Sequence, residues 1–110
     1  MRLSEYQDLA SRTARHDQDF DDRLVTAALG VVGETGEVVD VIKKYHGQGH
    51  ELDRKKICEE VGDALWYLAE ICTLCGLDMD IVAEANVAKL RDRYPNGFDA
   101  ARSRERGGHG

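Results

Sequence analysis

A chain of 110 residues with a formal charge of −6 has room for one hydrophobic core but not two, and lacks the broad basic surface that a nucleic-acid polymer would require. Pro occurs once, apolar and charged residues are both plentiful, and no apolar run is long enough to span a membrane, so fibrous, disordered and membrane-spanning classes are excluded. The opening stretch MRLSEYQDLA carries acidic and polar residues where a signal peptide would be apolar, and a cytoplasmic location is expected.

The first predicted helix opens at Ser4, with Gln7 completing a capping box. It carries Leu3, Tyr6, Ala10 and Thr13 at helical spacing to about His16. Asp21 or Asp22 is the expected cap of a second helix, from about Arg23 to Tyr45, with Val31, Val38, Val39, Ile42 and Tyr45 on one side. That helix is expected to be central and buried. Gly30, Gly33 and Gly36 each cost it about 1 kcal/mol relative to Ala, so close packing or a ligand should compensate.

Gly47, Gln48 and Gly49 interrupt the pattern, and a third helix follows from about Asp53 to Cys75, stopped by Gly76. His46 and His50 flank that break and read as loop residues rather than metal ligands. Cys58, Cys72 and Cys75 all fall within the third helix, where reduced thiols in apolar packing are expected. Asp78 caps a fourth helix running to about Tyr94, with Leu77 and Val82 as a hydrophobic staple, before Pro95-Asn96-Gly97 turns the chain. The expected organisation is one all-α, four-helix, bundle-like domain over residues 1–98, followed by a basic and then Gly-rich tail over 99–110.

The chemistry-bearing residues are acidic. Glu34 and Glu37 lie one turn apart on the second helix, and Glu60 and Asp63 one turn apart on the third; each pair starts at the border of its helix's apolar arc. Packing the two arcs together draws the four carboxylates toward one another, and like charges so placed repel and resist desolvation. A divalent cation resolves that conflict. Oxygen-only ligation selects a hard ion, Mg²⁺ or its substitute Mn²⁺, and Mg²⁺ favours phosphate oxygens as further ligands. A single Glu-x-x-Glu pair would read as a solvated helix face; two pairs at matching positions point to a metal site.

Asn86, Lys89 and Arg93 form a polar stripe on the fourth helix that suits phosphate oxygens and equally suits an ordinary wet helix face. Trp66 and Tyr67 fall on the polar arc of the third helix. Tyr67, one turn beyond Asp63, is placed to bond a ligand near the metal, and Trp66 reads as a subunit-interface residue.

The segments GVVGETGEVVDVIKK, EEVGDALWYL and NVAKLRDRYPNGF, in that order, resemble the MazG-like nucleoside triphosphate pyrophosphohydrolases over nearly the whole chain. The resemblance implies an all-α fold and a Glu-x-x-Glu, Glu-x-x-Asp metal motif at Glu34, Glu37, Glu60 and Asp63. It also implies Tyr67 near the nucleotide, and Asn86, Lys89 and Arg93 approaching the metal and phosphates. Homodimers or homotetramers that complete each site and cover Trp66 and Leu74 are implied as well. The reaction implied is hydrolysis of a nucleoside or deoxynucleoside triphosphate to monophosphate and pyrophosphate, a nucleotide-pool cleansing role. Within the catalytic pair Glu34 and Glu37, Glu37 is the expected base because its wheel position lies further from the apolar arc. Two other classes share parts of this pattern: a di-metal oxidase or iron store, which would need Glu-x-x-His pairs that are missing here, and a non-catalytic nucleotide sensor.

Overall fold

The computed structural model describes residues 1–97, so the expected tail over 99–110 lies outside the described residues. Four helices follow in order: α1 Leu3–Ser11, α2 Phe20–Gly47, α3 Arg54–Leu74 and α4 Met79–Arg93. Among the described residues the regular structure is all α-helical, and no helix is long and apolar enough to cross a membrane. α2 and α3 form the principal pair, α1 lies on α3, and α4 joins the rest chiefly through α1. The α2–α3 pair is antiparallel, since Arg23 meets Glu70 near one end, Gly30 meets Tyr67, and Glu34 meets Glu60 further along.

Local chemistry sets most helix ends. Asp19, not Asp21 or Asp22, caps α2 by accepting the Asp22 amide at 2.8 Å, and the helix continues past Tyr45 to Gly47. Asp53 caps α3 through the Lys56 amide at 3.0 Å, and Asp78 caps α4 through the Asp80 amide at 2.8 Å. At the end of α3, Gly76 takes φ +69°. This lets Leu77 N–H reach the Cys72 carbonyl at 2.8 Å and Gly76 N–H the Thr73 carbonyl at 3.2 Å. Those two bonds are the Schellman arrangement that the glycine makes possible.

α1 departs from the sequence expectation at both ends. Its cap is Arg2, whose amide donates to Glu5, and it stops at Ser11 rather than His16. Thr13 Oγ1 donates back to the Ala10 carbonyl at 2.8 Å, and the His16 ring pairs with the Ser11 carbonyl at 2.7 Å, so side chains satisfy groups that a further helical turn would have used. Ser4 and Gln7 are spent on tertiary contacts. Ser4 Oγ donates to Asp80 at 2.7 Å. Buried Gln7 donates to the Leu77 carbonyl and to Thr73 Oγ1 and accepts the Met79 amide, locking α1 to the α3–α4 corner.

The core is small: Ala10, Ala69 and Met79, with Tyr6, Leu65, Trp66 and Cys72 packed against them. Cys72 belongs to this core and Cys75 is exposed, so the two thiols do not share an apolar face. α2 is not the buried central helix the sequence suggests. Leu24, Ala27, Val31, Val38 and Val41 turn inward, whereas Val39, Ile42 and Tyr45 are exposed together with Val25, Leu29 and Val32. Leu77 and Val82 are exposed as well, and Met79 is the apolar residue that anchors the start of α4.

Candidate functional site

The inward face of α2 meets α3 at residues spaced alternately three and four apart, which keeps one face of each helix toward its neighbour. Glu34 lies on that face of α2, and Glu60 on the matching face of α3, where it is 7% exposed. Asp63 lies one turn further along α3, at its exposed border. Glu34, Glu60 and Asp63 each offer an oxygen, and these atoms all lie within 4.8 Å of one another. Glu37 stands outside the trio: it is exposed, one turn along α2, close enough for its charge to act on Glu34.

The cluster is electrostatically strained. Glu34 is pushed from 4.5 up to about 7, first by a hydrogen bond with Glu60, then by desolvation and by the charges of Glu60, Asp63 and Glu37. Glu60 is held below the ordinary carboxylate range by that hydrogen bond and by Lys56, whose Nζ lies 2.9 Å from Glu60 Oε1. Two carboxyl groups thus share one proton, as expected when like charges are forced together. The donors are all carboxylate oxygens, the set a hard divalent cation prefers, and such a cation would replace the shared proton.

The sign of the resulting pH effect is fixed. Because the folded state binds the Glu34 proton more tightly than the unfolded chain does, its contribution to stability is full below 4.5 and is lost as pH rises toward about 7. Glu60, Asp17 and Asp80, all held below the ordinary range, contribute stability that is present throughout this window and is lost only in more acidic solution. In chelator, the melting temperature is expected to fall between about pH 5 and about pH 8, and Glu34→Gln is expected to flatten that slope. A wild-type slope unchanged by the substitution would show that the shared proton is not responsible.

One cavity is lined by the cluster itself, and a second is lined by Glu37 and by Lys56, the partner of Glu60. The first, of about 360 Å³, is lined by Glu34, Asp63, Trp66 and Tyr67. The other, of about 380 Å³, lies toward the α2–α3 connection and is lined by Glu37, Asp40, Lys44, His50 and Lys56 among others. Tyr67 owes its position to Gly30, because a Cβ at that residue would overlap the tyrosine ring. Gly30→Ala should therefore displace Tyr67 and cost about 1–3 kcal/mol by overpacking, against about 1 kcal/mol gained in helix propensity. Chemical denaturation gives the net change, and Tyr67→Ala in the same background should remove the penalty. Gly33 and Gly36 have open space where a Cβ would stand, so no neighbour among the described residues accounts for them.

Trp66 is not on an unpartnered polar face. It is half-buried, its Nε1 donates to Thr13 Oγ1 at 2.8 Å, and its ring meets Tyr67 edge-on at 5.2 Å. Leu74 is likewise half-buried within the chain. Asn86 and Lys89 are exposed on α4 and Arg93 is half-buried there; none of the three lines either cavity beside the cluster.

Sequence reasoning overlooked three contributors. Tyr6 reaches the site from α1, its phenol raised by burial and then by the Asp63 charge. Lys56 precedes Glu60 by four residues, a spacing that signals a helical ion pair. Arg23 and Glu70 form a buried fork with bonds of 2.9–3.1 Å, and no local signal links residues so far apart in sequence.

The model of the MazG nucleotide pyrophosphohydrolase domain matches residues 23–98. Among curated proteins, the Gene 37 protein of Mycobacterium phage L5 is 30% identical, the match covering 88% of this chain and 92% of that protein. No solved structure gives a significant match.

Proposed function

Because the chain belongs to the MazG nucleotide pyrophosphohydrolase family, we propose that it hydrolyses nucleoside or deoxynucleoside triphosphates, with Mg²⁺, to the monophosphate and pyrophosphate. Mn²⁺ would serve as a substitute. The observation that carries this reading is the convergence of Glu34, Glu60 and Asp63 beside a cavity walled by Trp66 and Tyr67. Carboxylates that must share a proton when alone suit a site built to face a cation, and an aromatic wall suits a nucleoside.

Glu34, Glu60 and Asp63 would hold the metal. When bound, Mg²⁺ supplies charge neutralisation for the phosphates and acidifies a water ligand. Lys56 fixes the orientation of Glu60 from one side while Glu34 meets it from the other. Glu37, exposed and outside the trio, is free to accept the proton of the attacking water, which is the role assigned to it here. Tyr67, held by Gly30 and Trp66, borders the nucleoside.

Asn86, Lys89 and Arg93 would approach the phosphates from a second subunit, since α4 joins its own chain chiefly through α1. An assembly of two or four copies also accounts for the exposed α2 stripe, where Val25, Leu29, Val32 and Val39 are 58–70% exposed while no large side chain is fully buried among the described residues. Leu29→Glu with Val32→Glu is expected to convert the assembly to monomers in sedimentation velocity and to abolish turnover. Monomeric wild type would refute the shared site.

The decisive experiment is a pyrophosphate-release assay across canonical and modified triphosphates with Mg²⁺ and with chelator. Metal-dependent release of pyrophosphate is the expected result. Binding of nucleotide and Mg²⁺ with no turnover of any substrate would make the protein a sensor instead.

A further inference from the structure

Two cavities of different chemistry adjoin the carboxylate cluster in different ways: Glu34 and Asp63 line one directly, and the other reaches the cluster through Lys56, the partner of Glu60. On one side the wall is Trp66 and Tyr67, with no cation among the lining residues. On the other lie Lys44, His50 and Lys56. Four acidic residues also line this second cavity: Asp40 pairs with Lys44 at 3.0 Å and Asp53 caps α3, while Glu37 and Glu51 complete the set. Lys56 is bound to Glu60, one of the converging carboxylates, and its side chain is 45% exposed to the cavity and solvent. An i,i+4 Lys–Glu pair is ordinarily a weak surface contact. Here the glutamate is buried and shared with Glu34, and Lys56 is the cation paired directly with it.

Resting on the pyrophosphohydrolase reading, we propose that the triphosphate lies across the cluster in one direction. Its nucleoside is against Trp66 and Tyr67, and its β and γ phosphates point into the cavity of Lys44, His50 and Lys56. Lys56 passes from Glu60 to the phosphates. The exchange follows from charge. Once a divalent cation neutralises Glu60, the ammonium has lost its partner, and the strongest acceptors within reach of its flexible stem are phosphate oxygens. Lys56 would then bind the pyrophosphate product and contribute nothing to the monophosphate.

The test is calorimetric binding, with Mg²⁺, of inorganic pyrophosphate and of the four common deoxynucleoside monophosphates to wild type, Lys56→Gln and Lys56→Arg. Mg²⁺ alone is titrated as a control, and circular dichroism and thermal melting check the fold. Lys56→Gln is expected to weaken pyrophosphate binding by about tenfold, the scale of one charge-assisted hydrogen bond, and to change monophosphate binding by less than about twofold. Lys56→Arg should restore most of the loss. Mg²⁺ alone should bind Lys56→Gln at least as tightly as wild type, since the lysine competes for Glu60. Unchanged pyrophosphate binding, an equal loss for both ligands, or weaker binding of Mg²⁺ alone would overturn the proposal; the last would make Lys56 a positioning residue for Glu60 only. Wild type that binds no pyrophosphate overturns it as well. Failure of wild type to hydrolyse any triphosphate, with these binding differences intact, would refute the pyrophosphohydrolase reading and leave the assignment of Lys56 standing.

Discussion

Turnover by Asp63→Asn is expected to fall by about 100-fold or more, while the melting temperature of the metal-free protein stays level or rises. The two halves of that result have one cause. Asp63 is exposed, and its charge helps to raise the pKa of Glu34. Removing the charge relieves the cluster in the absence of metal and takes away a cation ligand in its presence. A residue kept for structure would show the opposite coupling, with activity and stability falling together. Steady-state kinetics with saturating Mg²⁺, beside thermal melts in chelator, separate the cases. Wild-type turnover in the variant would remove Asp63 from the metal site.

The largest effect on stability should come from the far end of the same helix pair. The side chains of Arg23 and Glu70 are only 13% and 6% exposed and are joined by a three-bond fork between α2 and α3. Arg23→Leu leaves the Glu70 carboxylate buried without its partner, at an expected cost of about 3–5 kcal/mol. In a domain of this size that lowers the melting temperature by more than about 10 °C. The double replacement Arg23→Leu with Glu70→Leu should recover much of the loss, because a buried ion pair exchanged for apolar side chains is often close to neutral. If the double variant is no more stable than the single one, the damage is to packing rather than to an orphaned charge. The pair also borders a pocket that includes Trp66 and Tyr67, so the single variant should loosen the aromatic wall.

Much of the architecture was legible from local chemistry. Asp53, Asp78 and Gly76 mark helix ends because a cap or a left-handed residue acts within a few positions of itself. The α1 boundary was missed because Thr13 and His16 satisfy backbone carbonyls through their side chains, a competition that helical periodicity does not register. Gln7 was mistaken for a capping residue, since its spacing from Ser4 fits a capping box while its actual partners, Thr73, Leu77 and Met79, are distant in sequence.

The site divides along the same line. By itself, the sequence determined that Glu34 and Glu60 border apolar arcs and that each is followed by an acid one turn on, because helical phase is an intrachain property. It also identified the family, through motifs spread along most of the chain. The tertiary structure alone decided how the arcs face each other. Phase says nothing about the rotation of one helix against another, and in this antiparallel pair that rotation brings Asp63 to Glu34 and Glu60 while leaving Glu37 on the exposed side. The same rotation places Tyr67 on Gly30. The four carboxylates that look alike in sequence are thereby separated into a trio that shares charge and a fourth that stands apart.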